Sequence, residues 1–157
     1  MKKILVLLCL LLLAGCSKGA NIENPMIAKE SLDEVNEITH GHLRQPPVMG
    51  VTQEKFYIIE TKEGNIGEYD FVLNDIGYTV RFSDTIVKED ISGVWIDGKP
   101  AFSDDIVMDV STKGAGYRLF RWFTNDGQYC LIAPDTINEE LFTAVCSEMQ
   151  LVSAATE

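Results

Sequence analysis

The sequence has few cationic side chains and no apolar segment long enough to cross a bilayer. Its 13 lysines and arginines are outnumbered by 24 aspartates and glutamates, which gives a formal charge of −11. A chain this acidic repels nucleic-acid phosphates and has no basic patch for anionic lipid, so we expect neither as a direct partner. The longest apolar run, residues 4–14, has eleven residues, whereas a membrane-spanning helix needs about 20.

Motifs that carry chemistry are also scarce. His40 and His42 supply two metal ligands, whereas a zinc site needs three or four, and no further ligand has a suggestive spacing. An acidic cluster is made up of Asp97, Asp104, Asp105 and Asp109. It lacks the calcium-loop pattern, which favours solvated turn residues. We therefore expect no metal, no cofactor and no enzyme activity, with one alternative: paired carboxylates could hydrolyse a substrate if the fold brings them together.

The amino-terminal segment has the layout of a secretory signal. Lys2 and Lys3 precede the apolar run, and Leu-Ala-Gly-Cys follows at residues 13–16. This ending resembles the lipoprotein box of bacteria, in which the cysteine thiol receives a diacylglyceryl group and the preceding peptide is removed. The resemblance implies a signal peptide at residues 1–15, lipidation of Cys16 and a tether at residues 16–24. An ordinary secretory signal and an uncleaved anchor are the alternatives.

The middle of the chain has the pattern of an antiparallel meander. Residues 55–61, 66–73 and 78–82 are rich in aromatic and β-branched side chains, with short turns between them. Shorter strands are expected at residues 94–96 and 106–110. Residues 117–124 and 128–132 predict a final hairpin, with a three-residue loop that ends at Gly127. Trp122 and Tyr129 would form an aromatic pair across it.

Two capping boxes predict helices on either side of this β region. Ser31 and Glu34 would begin one over about residues 31–40, and Thr136 and Glu139 would begin the last one. Residues 25–152 are therefore predicted to form a single α+β domain. Its antiparallel sheet of about five to seven strands would carry an amino-terminal and a carboxy-terminal helix packed on one face.

Cys130 and Cys146 are the two cysteines that would remain in the domain. Cys130 lies on the last predicted strand and Cys146 on the helix expected to pack over it. Outside the cytoplasm such a pair can be oxidised to a disulfide. Two buried free thiols are the other possibility, because cysteine is a good small core residue.

Several short segments resemble an uncharacterised family of small bacterial lipoproteins. They are Asn24-Pro25, residues 31–35, Pro46-Pro47 and residues 90–93, followed by the ending with Trp122, Gly127 and Tyr129. That ending is similar to a domain of unknown function that occurs on the outer side of membrane proteins, including some anti-sigma factors. The resemblance implies fold markers and carries no catalytic residues.

The sequence thus predicts an extracytoplasmic lipoprotein anchored to the bacterial cell membrane, or to the outer membrane where the cell has one. We expect a non-catalytic module that binds an envelope protein, peptide or polymer, with the membrane contacted through the lipid. An envelope hydrolase that uses paired carboxylates is the alternative.

Overall fold

The computed structural model describes residues 26–86, 89–96, 99–100, 111–114 and 116–154. The strands in these ranges are β1 (Met26–Lys29), β2 (Thr52–Glu60), β3 (Asn65–Leu73), β4 (Ile76–Ser83), β5 (Trp95–Ile96), β6 (Lys99–Pro100), β7 (Ser111–Gly114), β8 (Tyr117–Thr124) and β9 (Gly127–Pro134). The helices are α1 (Leu32–Thr39) and α2 (Glu139–Ala154). The predicted signal peptide, the tether with Cys16, the strand at residues 106–110 and the acidic cluster lie outside the described residues.

One antiparallel sheet of seven strands organises the described chain, in the order β1-β2-β3-β4-β9-β8-β7. Strands β5 and β6 form a separate two-stranded ribbon. The predicted meander is confirmed as β2, β3 and β4, and the predicted final hairpin as β8 and β9. The domain therefore has the expected α+β class.

The first helix begins and ends where its capping residues predict. Ser31 has an extended backbone, and its hydroxyl accepts a hydrogen bond from the Glu34 amide at 3.2 Å. At the other end His40 takes the left-handed conformation, with φ of 51°. Gly41 follows it with no room for a side chain, because a β-carbon there would overlap the Phe82 ring.

The second helix begins later than its capping box predicts. The side chain of Asn138, rather than that of Thr136, accepts from the first amides of the helix, at 2.8 Å from Glu140 and 3.3 Å from Leu141. The prediction that Thr136 is the cap is therefore wrong. The physical reason is a turn before the helix, closed by a hydrogen bond from the Ile137 amide to the Pro134 carbonyl at 3.1 Å.

Alternating residues of the sheet belong to two separate apolar clusters. The large core consists of Val35, Leu43, Ile58, Tyr69, Phe71, Leu73, Tyr78, Val80, Phe82, Phe120, Trp122, Tyr129, Leu131, Ala133, Ile137, Phe142, Val145, Cys146 and Met149. The small core consists of Ile66, Ile86, Ile91, Leu119, Cys130 and Ile132. Neighbours along a strand fall in different cores because side chains alternate between the faces of a sheet.

The aromatic pair expected in the final hairpin is confirmed. Trp122 is opposite Tyr129 in the register, and their rings stack at 5.1 Å between centroids. The predicted three-residue loop is wrong, since Thr124 pairs with Gly127 and only two residues lie between them. Gly127 has φ of +156°, and a β-carbon at this position would clash with the Ser83 carbonyl, so glycine is required there.

The possible disulfide between Cys130 and Cys146 is not formed, and both thiols are free and buried. Cys130 belongs to the small core, whereas Cys146 packs in the large core on the other side of β9. The alternation of side chains along β9 therefore separates them. Burial raises the pKa of both thiols, to about 12 for Cys146, so these cysteines are packing residues.

Candidate functional site

A cleft of about 420 Å³ lies beside the amino-terminal end of α1, and we call it the front cleft. Its lining residues are Glu30, Ser31, Leu32, Asp33, Leu43, Arg44, Gln45 and Phe56. The first four form a helix wall, residues 43–45 form a loop wall, and Phe56 is contributed by β2 of the sheet. The volume is within the range of small-ligand sites.

The helix wall is fixed by hydrogen bonds around Glu34. The Glu34 backbone amide donates to the Ser31 hydroxyl. The Glu34 carboxylate accepts from the Glu30 amide at 3.1 Å and from the Lys29 ammonium at 3.0 Å. These two contacts, the amide first, lower the pKa of the Glu34 carboxyl. Lys29 ends β1 and is paired with Phe56, so the wall is tied to the sheet.

The loop wall is held at both of its ends. The Asn36 side chain donates to the Leu43 carbonyl and accepts from the Leu43 amide, both at 2.8 Å. Two residues later, the Gln45 amide group donates to the Glu54 carboxylate at 2.6 Å. Arg44 lies between these two residues along the chain and is one of the residues that line the cleft.

A β-bulge in β2 accounts for the position of Glu54. The register shifts between Thr52 and Lys55, and Gln53 has a left-handed backbone with φ of 53°. The Glu54 carboxylate also accepts from the Tyr69 hydroxyl at 2.6 Å. Burial, and then this hydrogen bond, raise the pKa of Tyr69. Glu54 therefore links the loop wall to a buried tyrosine of the large core.

Phe56 contributes an apolar ring to the lining of the cleft. Its ring stacks on Tyr69 with centroids 5.4 Å apart and planes within 12°. The stack continues to Phe71 at 5.0 Å and from there to Tyr78 at 5.2 Å. The ring is therefore held in a defined orientation, which suits contact with an apolar ligand group.

A second charged assembly is buried on the side of the sheet that carries the small core, and we call it the arginine clamp. Arg81 donates to the Glu68 carboxylate at 2.6 Å and to the carbonyls of Ile91 at 3.1 Å and Ser92 at 2.6 Å. Gly93, with φ of +66°, leaves space for the guanidinium. Burial raises the pKa of Glu68 although the Arg81 charge opposes this.

The arginine clamp explains the Asp90-Ile91-Ser92-Gly93 sequence. The Asp90 carboxylate accepts from the Ser92 amide at 2.7 Å, and the Ser92 hydroxyl accepts from the Val94 amide at 3.1 Å. These turns aim two carbonyls at Arg81, so the segment is fixed against the sheet. Its polar groups serve the fold.

The two histidines each meet one aspartate. His40 Nδ1 lies 3.2 Å from Asp84 and His42 Nε2 lies 3.8 Å from Asp126. These are separate contacts at the protein surface, and only the first is short enough to be a hydrogen bond. In the described ranges, no group of three or more histidine, cysteine, aspartate or glutamate side chains is arranged to hold a metal ion.

The sequence singled out none of the residues that line the front cleft as ligand-binding groups. Ser31 was identified as a helix cap, which is one part of the helix wall. The cleft needs segments separated along the chain, and only the tertiary structure brings them together. The sequence feature that could have indicated this cleft is a helix cap, Ser31, next to charged side chains.

The part of the chain that the structure describes contains no helix long and apolar enough to cross a bilayer. No protein-family model, curated protein or solved structure matches the chain. The resemblance to small lipoproteins therefore stays a prediction from the sequence.

Proposed function

We propose that this chain is a lipoprotein of the bacterial cell envelope that acts as a binding module through the front cleft. Lipidation of Cys16 would hold it on the outer side of the membrane. Two or more acyl chains give a stable anchor, whereas one is marginal. The acidic domain would be repelled by anionic lipid, which keeps the cleft accessible to solvent.

The observation that carries the binding role is the rigid construction of the front cleft. Asn36 and Glu54 hold the loop wall, and Glu34 holds the helix wall. A cleft whose walls are already ordered loses little conformational entropy when a ligand binds. Such an arrangement supports recognition of a ligand.

A non-catalytic role is favoured by where the perturbed ionisable groups lie. In the part of the chain that the structure describes, Glu68 is the carboxyl whose pKa is raised, and it is bonded to Arg81 in the clamp. Tyr69, whose pKa is also raised, is bonded to Glu54. Both groups are engaged in contacts that stabilise the fold.

We also infer that both helices pack on one face of the sheet. Val35 of α1 and Phe142 of α2 belong to the large core together with Tyr69 and Trp122 of the sheet. This arrangement would leave the other face to the small core and the arginine clamp. It would put the front cleft beside a layer of helices.

Membrane fractionation tests the anchor. The full chain should take up labelled palmitate and sediment with membranes, whereas Cys16→Ala should take up none and lose its processing. A Cys16→Ala chain that is processed and retained like the original would contradict the proposal.

Photo-crosslinking in intact cells tests the binding role. A benzophenone amino acid is introduced in place of Gln45, in the loop wall, and in a control in place of Lys62, an exposed turn residue. Adducts that form from position 45 and not from position 62 are expected. Identical patterns from both positions, or no adduct from either, would contradict a macromolecular partner in the cleft.

A further inference from the structure

Among the described residues, the charged side chains of the front cleft form no ion pair, although the Arg44 charge acts on buried Tyr129 and opposes the rise of its pKa. Glu30, Asp33 and Arg44 line the cleft, and all three are exposed. Within the described ranges the ion pairs are made by other side chains. Three charged side chains therefore remain available to a ligand.

The charges of the cleft are separated by sign. Glu30 and Asp33 belong to the helix wall, whereas Arg44 belongs to the loop wall. The carboxylates of the helix wall complement an ammonium group. The planar guanidinium of Arg44 complements a carboxylate, which it can bind through two parallel hydrogen bonds.

Apolar groups line the same cleft as these charges. Phe56 stacks on Tyr69, and Leu32 and Leu43 line the cleft with it. An aliphatic or aromatic side chain would lose water against these groups, which favours its binding. The ligand should therefore carry an apolar group in addition to its two charges.

The size of the cleft suits a small ligand. Its volume of about 420 Å³ lies in the range of about 300–1,000 Å³ that is usual for small-molecule sites. A short peptide with free ends is a small ligand that carries an ammonium, a carboxylate and apolar side chains.

We propose that the front cleft binds a short peptide with free ends, its ammonium on Glu30 and Asp33, its carboxylate on Arg44 and its apolar side chain on Phe56. This ligand class rests on the proposed binding function and makes it specific. Asn36 and Glu54 act as positioning residues, because they hold the loop that presents Arg44.

Titration calorimetry on the full chain in detergent tests the ligand class with three probes: the dipeptide alanyl-phenylalanine, its N-acetyl form and its carboxy-terminal amide. The free dipeptide should bind, and each blocked form should bind about tenfold more weakly, because each loses a charged hydrogen-bonding group. No saturable binding of the free dipeptide up to millimolar concentration would overturn the proposal.

Variants then assign each end of the peptide to its wall. Arg44→Gln should weaken binding of the free dipeptide about tenfold and bind it no better than the amide. The double variant Glu30→Gln with Asp33→Asn should bind the free and acetylated forms equally. The matched controls Lys62→Gln and Glu63→Gln, in an exposed turn, should leave all three affinities unchanged. Equal losses in controls and cleft variants would overturn the assignment.

The crosslinking experiment separates the two levels of the proposal. Adducts from position 45 without dipeptide binding would refute the peptide ligand and retain a binding module of another specificity. Identical adduct patterns at positions 45 and 62, with dipeptide binding that Arg44→Gln weakens about tenfold, would refute a macromolecular partner in the cleft and retain the peptide site.

Discussion

The front cleft and the arginine clamp both contain an arginine and carboxylates, but they use these charges in opposite ways. In the clamp, Arg81 is bonded to Glu68 and to two backbone carbonyls. In the cleft, Arg44 lies at the surface while neighbouring groups fix its backbone. Burial and pairing, rather than residue type, therefore distinguish charged side chains that stabilise the fold from charged side chains that can bind a ligand.

The largest expected effect comes from breaking the clamp. Arg81→Met should lower the free energy of unfolding by roughly 3–5 kcal/mol, because Glu68 is left buried without its partner. Urea denaturation monitored by tryptophan fluorescence measures this loss. The matched substitution Arg44→Met should change the free energy of unfolding by no more than about 0.5 kcal/mol, as is usual for surface positions. Equal losses for both arginines would remove the distinction between the two assemblies.

The pH dependence of stability sharpens the same contrast. Burial raises the pKa of Glu68 above its ordinary value of 4.5, so the folded protein holds this proton more tightly than the unfolded chain. The free energy of unfolding should therefore fall as the pH rises from about 4.5 through the raised pKa. Urea denaturation at a series of pH values should show this fall, and Glu68→Gln should remove it.

The matched control for this pH series is Glu30→Gln, which changes a carboxylate of the cleft. This substitution should leave the fall of the free energy of unfolding with pH as it is in the original chain. If the free energy of unfolding of Glu68→Gln falls with pH as in the original chain, the pH dependence comes from other groups.

A smaller effect is expected in the loop wall of the cleft. Asn36→Ala removes both hydrogen bonds to Leu43 and should cost about 1–2 kcal/mol. It should also speed amide hydrogen exchange at residues 43–45, as measured by mass spectrometry, and leave residues 91–93 unchanged. Exchange that increases equally in both segments would mean that the two assemblies are not independent.

The smallest effect on stability is expected at the apolar surface of the cleft. Phe56→Leu should lower the free energy of unfolding by about 0.5–1.5 kcal/mol, the value of an aromatic pair, because the stack on Tyr69 is lost. Binding of alanyl-phenylalanine should weaken in the same variant, as calorimetry would measure. A variant that is less stable and binds the probe as well as before would exclude Phe56 from the site.

Local interactions made much of the fold predictable. Ser31 and Glu34 lie one helical turn apart, so their capping role could be inferred without tertiary structure. Trp122 and Tyr129 flank a short turn, which fixes their pairing. The prediction that Thr136 caps the last helix was wrong because Ile137 is buried and its amide closes a turn with the Pro134 carbonyl. The helix therefore begins at Glu139.

Interactions between distant segments explain what could not be predicted. Strand β1 has four residues and forms because β2 pairs with it. Cys130 and Cys146 belong to different cores because side chains alternate along β9. Which core Cys130 joins depends on how the whole sheet is assembled. The front cleft needs the bulge at Gln53, which no pattern indicated.

The chemical shifts of backbone amides during titration with alanyl-phenylalanine report on both assemblies in one sample, so they distinguish a binding cleft from a structural clamp. We expect saturable changes at residues 30–33, at residues 43–45 and at Phe56. The amides of Ser92 and Gly93 in the arginine clamp should stay unchanged. Changes centred on the clamp, or spread evenly over the sheet, would contradict peptide binding in the front cleft.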